Sequence, residues 1–196
     1  SEIYGNFNSV PLNEKSLFDP KSAYGISKLT CFHLIKSYRE FYNMQASTGI
    51  LFNHESPRRS AHFVGRKITC AVAKIKKGMQ NTLTLGELSA KRDWGHAKDY
   101  VDAMWLMNQQ KKTEDFVIGS GELHSVEEFA KKAFEHVNLN YKDYLKIDEK
   151  LIRKKDSVAR LADITKAASF LKWTPKISFN CMVQDMVEAD LKKLSE

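Results

Sequence analysis

Tyr24 and Lys28, in the run Tyr-Gly-Ile-Ser-Lys, stand four residues apart in a segment whose apolar residues fall near helical spacing. Positions i and i+4 share one helical face, so the phenol and the ammonium are neighbours. An isolated phenol titrates near pH ~10. A nearby ammonium stabilises the phenolate and draws the group toward the range of a general base. The pair is competent for proton transfer. The same spacing also describes a core ring beside a solvated amine, and spacing alone does not choose between them.

Other chemistries find less support. Cys31, Cys70 and Cys181 are far apart, show no Cys-x-x-Cys spacing and sit among apolar neighbours that read as helix. This predicts reduced, buried thiols with neither a disulfide framework nor a metal site. A formal charge of +7 invites a nucleic-acid reading. The basic residues, however, are spread along helical faces such as Lys74-Ile75-Lys76-Lys77 and Lys131-Lys132, the pattern of a solvated surface. No nucleic-acid partner is expected, and a small phosphorylated ligand uses the charge more economically. No apolar run approaches the roughly 20 residues of a membrane span, and Ser1-Glu2-Ile3-Tyr4-Gly5 carries no signal-peptide pattern. A cytoplasmic protein without a membrane partner is the expectation.

The elements that would hold Tyr24 and Lys28 follow from punctuation and period. Asp19-Pro20 suits a helix N-cap and first position, opening a helix over 21–43 with Tyr24, Leu29, Phe32, Ile35 and Tyr38 near helical spacing. Residues 47–53 read as a short apolar strand, followed by the polar loop His54-Glu55-Ser56-Pro57-Arg58-Arg59-Ser60 and a helix over 64–77. Strands are predicted at 82–85, 116–118 and, more weakly, 145–147; helices at 97–109, 164–171 and 180–194. Ser125 three residues before Glu128 forms a capping box for a further helix to 137. Helices alternating with short strands give an α/β class. Trp94 and Trp105 read as packing residues.

Ser1-Glu2-Ile3-Tyr4-Gly5 lies 23 residues before Tyr24. Together with Tyr-x-x-x-Lys it resembles the catalytic signature of the extended short-chain dehydrogenases/reductases that act on sugar nucleotides. Three further stretches narrow the likeness: Gly49-Ile50-Leu51-Phe52-Asn53-His54-Glu55-Ser56-Pro57-Arg58-Arg59, then Arg92-Asp93-Trp94-Gly95-His96-Ala97-Lys98-Asp99-Tyr100-Val101, and Asp163-Ile164-Thr165-Lys166-Ala167 with Leu171-Lys172-Trp173-Thr174-Pro175. These resemble the GDP-mannose 4,6-dehydratase family along nearly the whole chain.

The resemblance implies roles. Glu2 corresponds to the base that removes the C5 proton and assists loss of the C6 hydroxyl, Tyr24 to the base for the C4 hydroxyl, and Lys28 to its partner. Tyr24, Lys28, His54 and Arg59 would contact NADP. Asn53, Lys67, Arg92 and Arg153 would contact the GDP-sugar, where cationic groups suit a diphosphate and an amide suits a sugar or base edge. Arg92 can alternatively pair with Asp93. The implied fold is part of a Rossmann-like doubly wound parallel sheet plus a smaller substrate-binding lobe. Residues 1–55 and 97–120 would belong to the first, 56–96 and 121–196 mainly to the second. A homo-oligomer is also implied.

The sequence departs from the family in two places. Its one Gly-x-Gly, Gly119-Ser120-Gly121, follows a predicted strand but has His124 where a dinucleotide fingerprint needs a third glycine. Most of the adenosine and pyrophosphate site is therefore expected to be missing, and Ser1 aligns one residue after the family's catalytic Ser/Thr. Leu151-Ile152-Arg153-Lys154-Lys155-Asp156 replaces a family stretch ending Arg-Pro-Thr-Glu. Another GDP-sugar, such as a GDP-heptose, an epimerase or reductase activity, and a non-catalytic fragment are the competing readings.

Overall fold

A computed structural model describes residues 1–6, 11–152 and 158–196. The chain forms a 3-10 turn (Glu2–Tyr4), then α1 (Ala23–Tyr42), β1 (Thr48–Leu51), β2 (Asn53–Glu55), α2 (Val64–Lys76), β3 (Leu83–Leu85) and β4 (Lys91–His96). It continues with α3 (Ala97–Asn108), β5 (Asp115–Ile118), β6 (Leu123–Ser125), α4 (Val126–His136), β7 (Leu145–Ile147), α5 (Thr165–Leu171) and α6 (Phe179–Lys193). The class is α/β, as the alternation of elements predicts. β1 pairs β5 in parallel, with Thr48 opposite Asp115 and Leu51 opposite Ile118. β3 pairs β7 in parallel, and β2, β4 and β6 form a three-stranded sheet in the order β2-β4-β6. Parallel pairing requires long crossovers, which the intervening helices supply.

The chain divides into two compact units. The first comprises 1–54, 93–123 and 158–176; the second comprises 55–92, 124–157 and 177–196. Residues 158–176, placed by sequence with 121–196, group with the first unit. The reason is packing: Ala167, Leu171 and Trp173 close over Tyr100, Ala103, Met107, Phe116 and Ile118, and the Trp173 indole N–H donates to the Asp99 carbonyl at 3.0 Å. A second cluster of the first unit joins Tyr4, Leu12, Phe32, Ile50, Phe52, Val117 and Ala162.

In the second unit α2, α4 and α6 pack on one another. Ile68, Val72 and Ile75 of α2, Phe129, Ala130, Ala133 and Phe134 of α4, and Met182, Val183, Met186 and Val187 of α6 are buried. Their i, i+3, i+4 spacing gives each helix one apolar stripe to bury. Within this layer Arg66 of α2 and Asp190 of α6 form a buried ion pair.

Several expectations are corrected. Helix α1 starts at Ala23 rather than near Lys21, because Ser22 is the N-cap and its hydroxyl accepts from the Gly25 N–H at 3.0 Å. The strand expected over 47–53 is two strands, and Phe52 between them donates its N–H to the Ile118 carbonyl. β4 and β6 are strands that the hydrophobic period did not reveal. The cysteines are free, but Cys31 and Cys181 are exposed and Cys70 half-buried, because α1 and the start of α6 turn those positions outward. Trp94 is buried as expected, whereas Trp105 is 62% exposed on the outer side of α3. Among the described residues, no helix is long and apolar enough to cross a membrane.

Candidate active site

The first unit assembles a set of groups around the start of α1. Gly25 is buried against the Glu2 backbone: a Cβ there would lie 2.8 Å from the Glu2 carbonyl oxygen and 3.0 Å from Pro20. Only glycine permits that approach, and it sets the Glu2 backbone beside the first turn of α1, where Tyr24 sits. Gly5, which ends the 3-10 turn, has φ +67°, and a Cβ on it would stand 1.8 Å from the Asp19 carbonyl oxygen. The Asp19 N–H in turn donates to the Ile3 carbonyl at 3.0 Å. Glu2 is thus carried on a turn fixed at both ends. Its carboxylate accepts from Arg160 Nη1 at 2.7 Å.

Tyr24 is 60% exposed, and the Lys28 ammonium lies 5.4 Å from the centre of its ring. The structure therefore gives Tyr24 an open position at a helix start with the cation alongside. Among the described residues the Tyr24 ring is part of no buried cluster. Asn53 and His54 are held by Tyr100, a buried ring whose hydroxyl donates to the Asn53 carbonyl at 3.2 Å and whose face lies 5.0 Å from the imidazole. His54 Nδ1 is 3.0 Å from the Phe52 carbonyl, which can only accept. The proton is fixed on Nδ1.

In the second unit the Arg59 guanidinium stacks on the Phe63 ring at 3.4 Å and stands 3.6 Å from Glu55. Glu55 is 2% exposed, and its Oε2 accepts no hydrogen bond among the described residues. Burial pushes this carboxyl up to about 7, against the pull of Arg59. Lys67 is half-buried in the first turn of α2, a helix with no acidic residue in that turn. Arg92 is half-buried, and its Nη1 donates to the Lys91 carbonyl at 2.7 Å. Arg153 lies outside the described residues.

The Gly119-Ser120-Gly121 turn has its donors consumed internally. Asp93 accepts from the Ser120 N–H at 2.6 Å, the Ser120 hydroxyl at 2.7 Å, and the Gly121 and Ala162 N–H groups at 3.0 Å each. Burial pushes the Asp93 carboxyl upward while these four bonds pull it down. A phosphate-binding turn needs those amides free. This turn is a structural clasp.

The family model described as GDP-mannose 4,6 dehydratase matches residues 1–186. The chain belongs to the GDP-mannose 4,6 dehydratase family. It is similar to the GDP-mannose 4,6 dehydratase of Homo sapiens, at 44% identity over 209 residues that cover 98% of this chain and 56% of the relative. The Dictyostelium discoideum enzyme is 45% identical, with 98% and 59% covered. The Sinorhizobium fredii enzyme is 40% identical, with 99% and 60% covered. The chain spans little more than half the length of these curated relatives. Among solved structures, RMD from Pseudomonas aeruginosa complexed with NADPH superposes with a TM-score of 0.91 at 18% identity, covering 98% of this chain and 64% of that one. The dTDP-glucose 4,6-dehydratase of Bacillus anthracis in complex with NAD gives 0.84 at 20%, covering 99% and 60%. These two likenesses show the fold alone, a Rossmann-like α/β architecture.

Sequence reasoning missed Arg160, Tyr100 and Asp93 in the first unit and Glu55 in the second as buried polar groups that contact the predicted site residues or the Gly-x-Gly turn. Arg160 carries a signal in retrospect, being one charge inside Val158-Ala159-Arg160-Leu161-Ala162. A lone charge in such a run is buried and needs a partner. By sequence alone Asp93 reads only as a partner for its neighbour Arg92. No group of three or more potential metal ligands occurs among the described residues.

Proposed function

We propose that the protein carrying this chain is a GDP-mannose 4,6-dehydratase, converting GDP-mannose to GDP-4-keto-6-deoxymannose with release of one water. The observation that carries this reading is the placement of Glu2 on the turn packed against Gly25, beside Tyr24 and Lys28 at the start of α1. An exposed phenol next to an ammonium suits the nicotinamide end of NADP, and the family likeness assigns His54 and Arg59 to the same cofactor. That cofactor, when bound, would supply the hydride acceptor for C4 and return the same hydride to C6.

The chain's own residues supply the protons. Tyr24 takes the proton of the C4 hydroxyl as the ketone forms, with Lys28 stabilising the phenolate. The new carbonyl acidifies C5, and Glu2 removes that proton. Protonated Glu2 passes it to the departing C6 hydroxyl, so the C6–O bond breaks and water leaves. C5 later regains a proton, which balances the one taken from the C4 hydroxyl. Asn53, Lys67, Arg92 and Arg153 are assigned to the GDP-sugar, with the cations on phosphate and the amide on a sugar or base edge. A cytoplasmic homo-oligomer completes the reading.

The test is Glu2→Gln in the full-length enzyme. C4 oxidation does not need this carboxylate and elimination does, so reduced cofactor should accumulate while product formation falls by roughly 100-fold or more. Product at the normal rate removes Glu2 from the mechanism.

A further inference from the structure

Arg160 is 8% exposed and directs its guanidinium at two acceptors of the 3-10 turn. Nε donates to the Gly5 carbonyl at 2.8 Å, and Nη1 donates to Glu2 Oε1 at 2.7 Å. One planar group thereby spans the turn from the end of its backbone to its first side chain. The burial is lopsided: the arginine side chain is 10% exposed, the glutamate 38%. Burying a guanidinium costs several kcal/mol unless it is paired, and an apolar side chain would fill the same space without that cost. What an apolar residue cannot do is hold a half-exposed carboxylate that otherwise turns about three bonds.

We infer that Arg160 is a positioning residue for the elimination step, orienting Glu2 through Oε1 while the Gly5 contact keeps the guanidinium in register with the turn. The inference rests on the reading of Glu2 as the C5 base. A base takes a carbon-bound proton along a narrow line of approach, and a misplacement of about 1 Å costs on the order of 100-fold. Arginine suits the task because its donors are fixed in a plane and serve two acceptors at once. A lysine in its place has the charge without the fork.

The experiment compares two steps of a single turnover in the full-length enzyme with GDP-mannose. C4 oxidation is read as cofactor reduction, and C5 deprotonation as entry of solvent deuterium at C5. Arg160→Met should slow deuterium entry by about 10- to 100-fold and leave cofactor reduction within about twofold. Arg160→Lys should recover part of the loss. In a Glu2→Gln background, Arg160→Met should cause no further loss, because its effect passes through that carboxylate. Equal slowing of both steps, or losses that multiply in the double variant, would assign Arg160 to the scaffold and overturn the inference. Normal deuterium entry in Glu2→Gln would overturn the assignment of Glu2, and with it this one. A block in Glu2→Gln with normal entry in Arg160→Met would overturn the positioning role alone. Should Arg160→Met fail to fold, Arg160→Gln, which retains a donor for the Gly5 carbonyl, carries the same comparison.

Discussion

In α1 only Gly25 and Phe32 are buried out of twenty residues, whereas α2 buries eight of thirteen, Arg66 among them. The two helices are held in different ways. α2 is fixed along its length by α4 and α6, and its buried charge is spent on Asp190 of α6. α1 is held at separate points, by the Ser22 cap and the approach of Gly25 to Glu2 at its first turn, by Phe32 in its middle and by Arg39 on Asp115 near its end, and it leaves Tyr24 and Lys28 exposed. A helix held at a few points keeps one face accessible; a helix that organises a core has most of its length buried.

Substitutions can separate these roles. The largest effect on stability should come from the buried pair. Asp190→Ala leaves Arg66 charged and unpaired and should destabilise the fold by about 3–5 kcal/mol in denaturant melts. A loss below about 1 kcal/mol would mean that α2 is not held this way. Tyr24→Phe should do the reverse, lowering turnover by roughly 100-fold or more with GDP-sugar binding and the melting midpoint nearly unchanged, since it deletes one exposed oxygen. Equal turnover in the two proteins would return α1 to a packing role.

Glu55 gives a pH-dependent comparison within the second unit. Its ordinary value is 4.5, and burial holds it at about 7 in the folded chain. Between those values the folded state keeps a proton that the unfolded chain has released, so stability falls as pH rises through that window. The contribution is on the order of 3 kcal/mol. Glu55→Gln keeps the shape and cannot ionise, so its melts should lose that slope; an unchanged slope would place the titration elsewhere. The smallest effect is expected on α1, where Phe41 is 79% exposed: Phe41→Ser should stay within about 0.5 kcal/mol of wild type.

Much of this arrangement is legible in the residues, and the illegible parts have physical causes. The capping box at Ser125 is realised, with the Glu128 N–H donating to its hydroxyl at 3.0 Å, because a cap is a contact over three residues and needs nothing distant. Tyr38 lies on the apolar spacing of α1 yet is 47% exposed, and Cys31 is exposed as well. Periodicity reports that a helix has an apolar side, not what lies against it. β4, in Lys-Arg-Asp-Trp-Gly-His, has no apolar alternation, since its place comes from pairing with β2 and β6. The clasp of Asp93 on Ser120, Gly121 and Ala162, and that of Arg160 on Glu2, join residues far apart in sequence, which no local pattern encodes.

The proposed acid–base groups and GDP-sugar contacts lie in this chain, and its single Gly-x-Gly turn is closed by Asp93. Calorimetric titration of the chain with GDP and, separately, with NADP tests both assignments together. The expected result is measurable GDP binding that weakens in Arg92→Ala and Lys67→Ala, with NADP bound weakly or not at all, because no free amide cradle is offered to its pyrophosphate by that turn. Tight NADP binding with no GDP binding would contradict it.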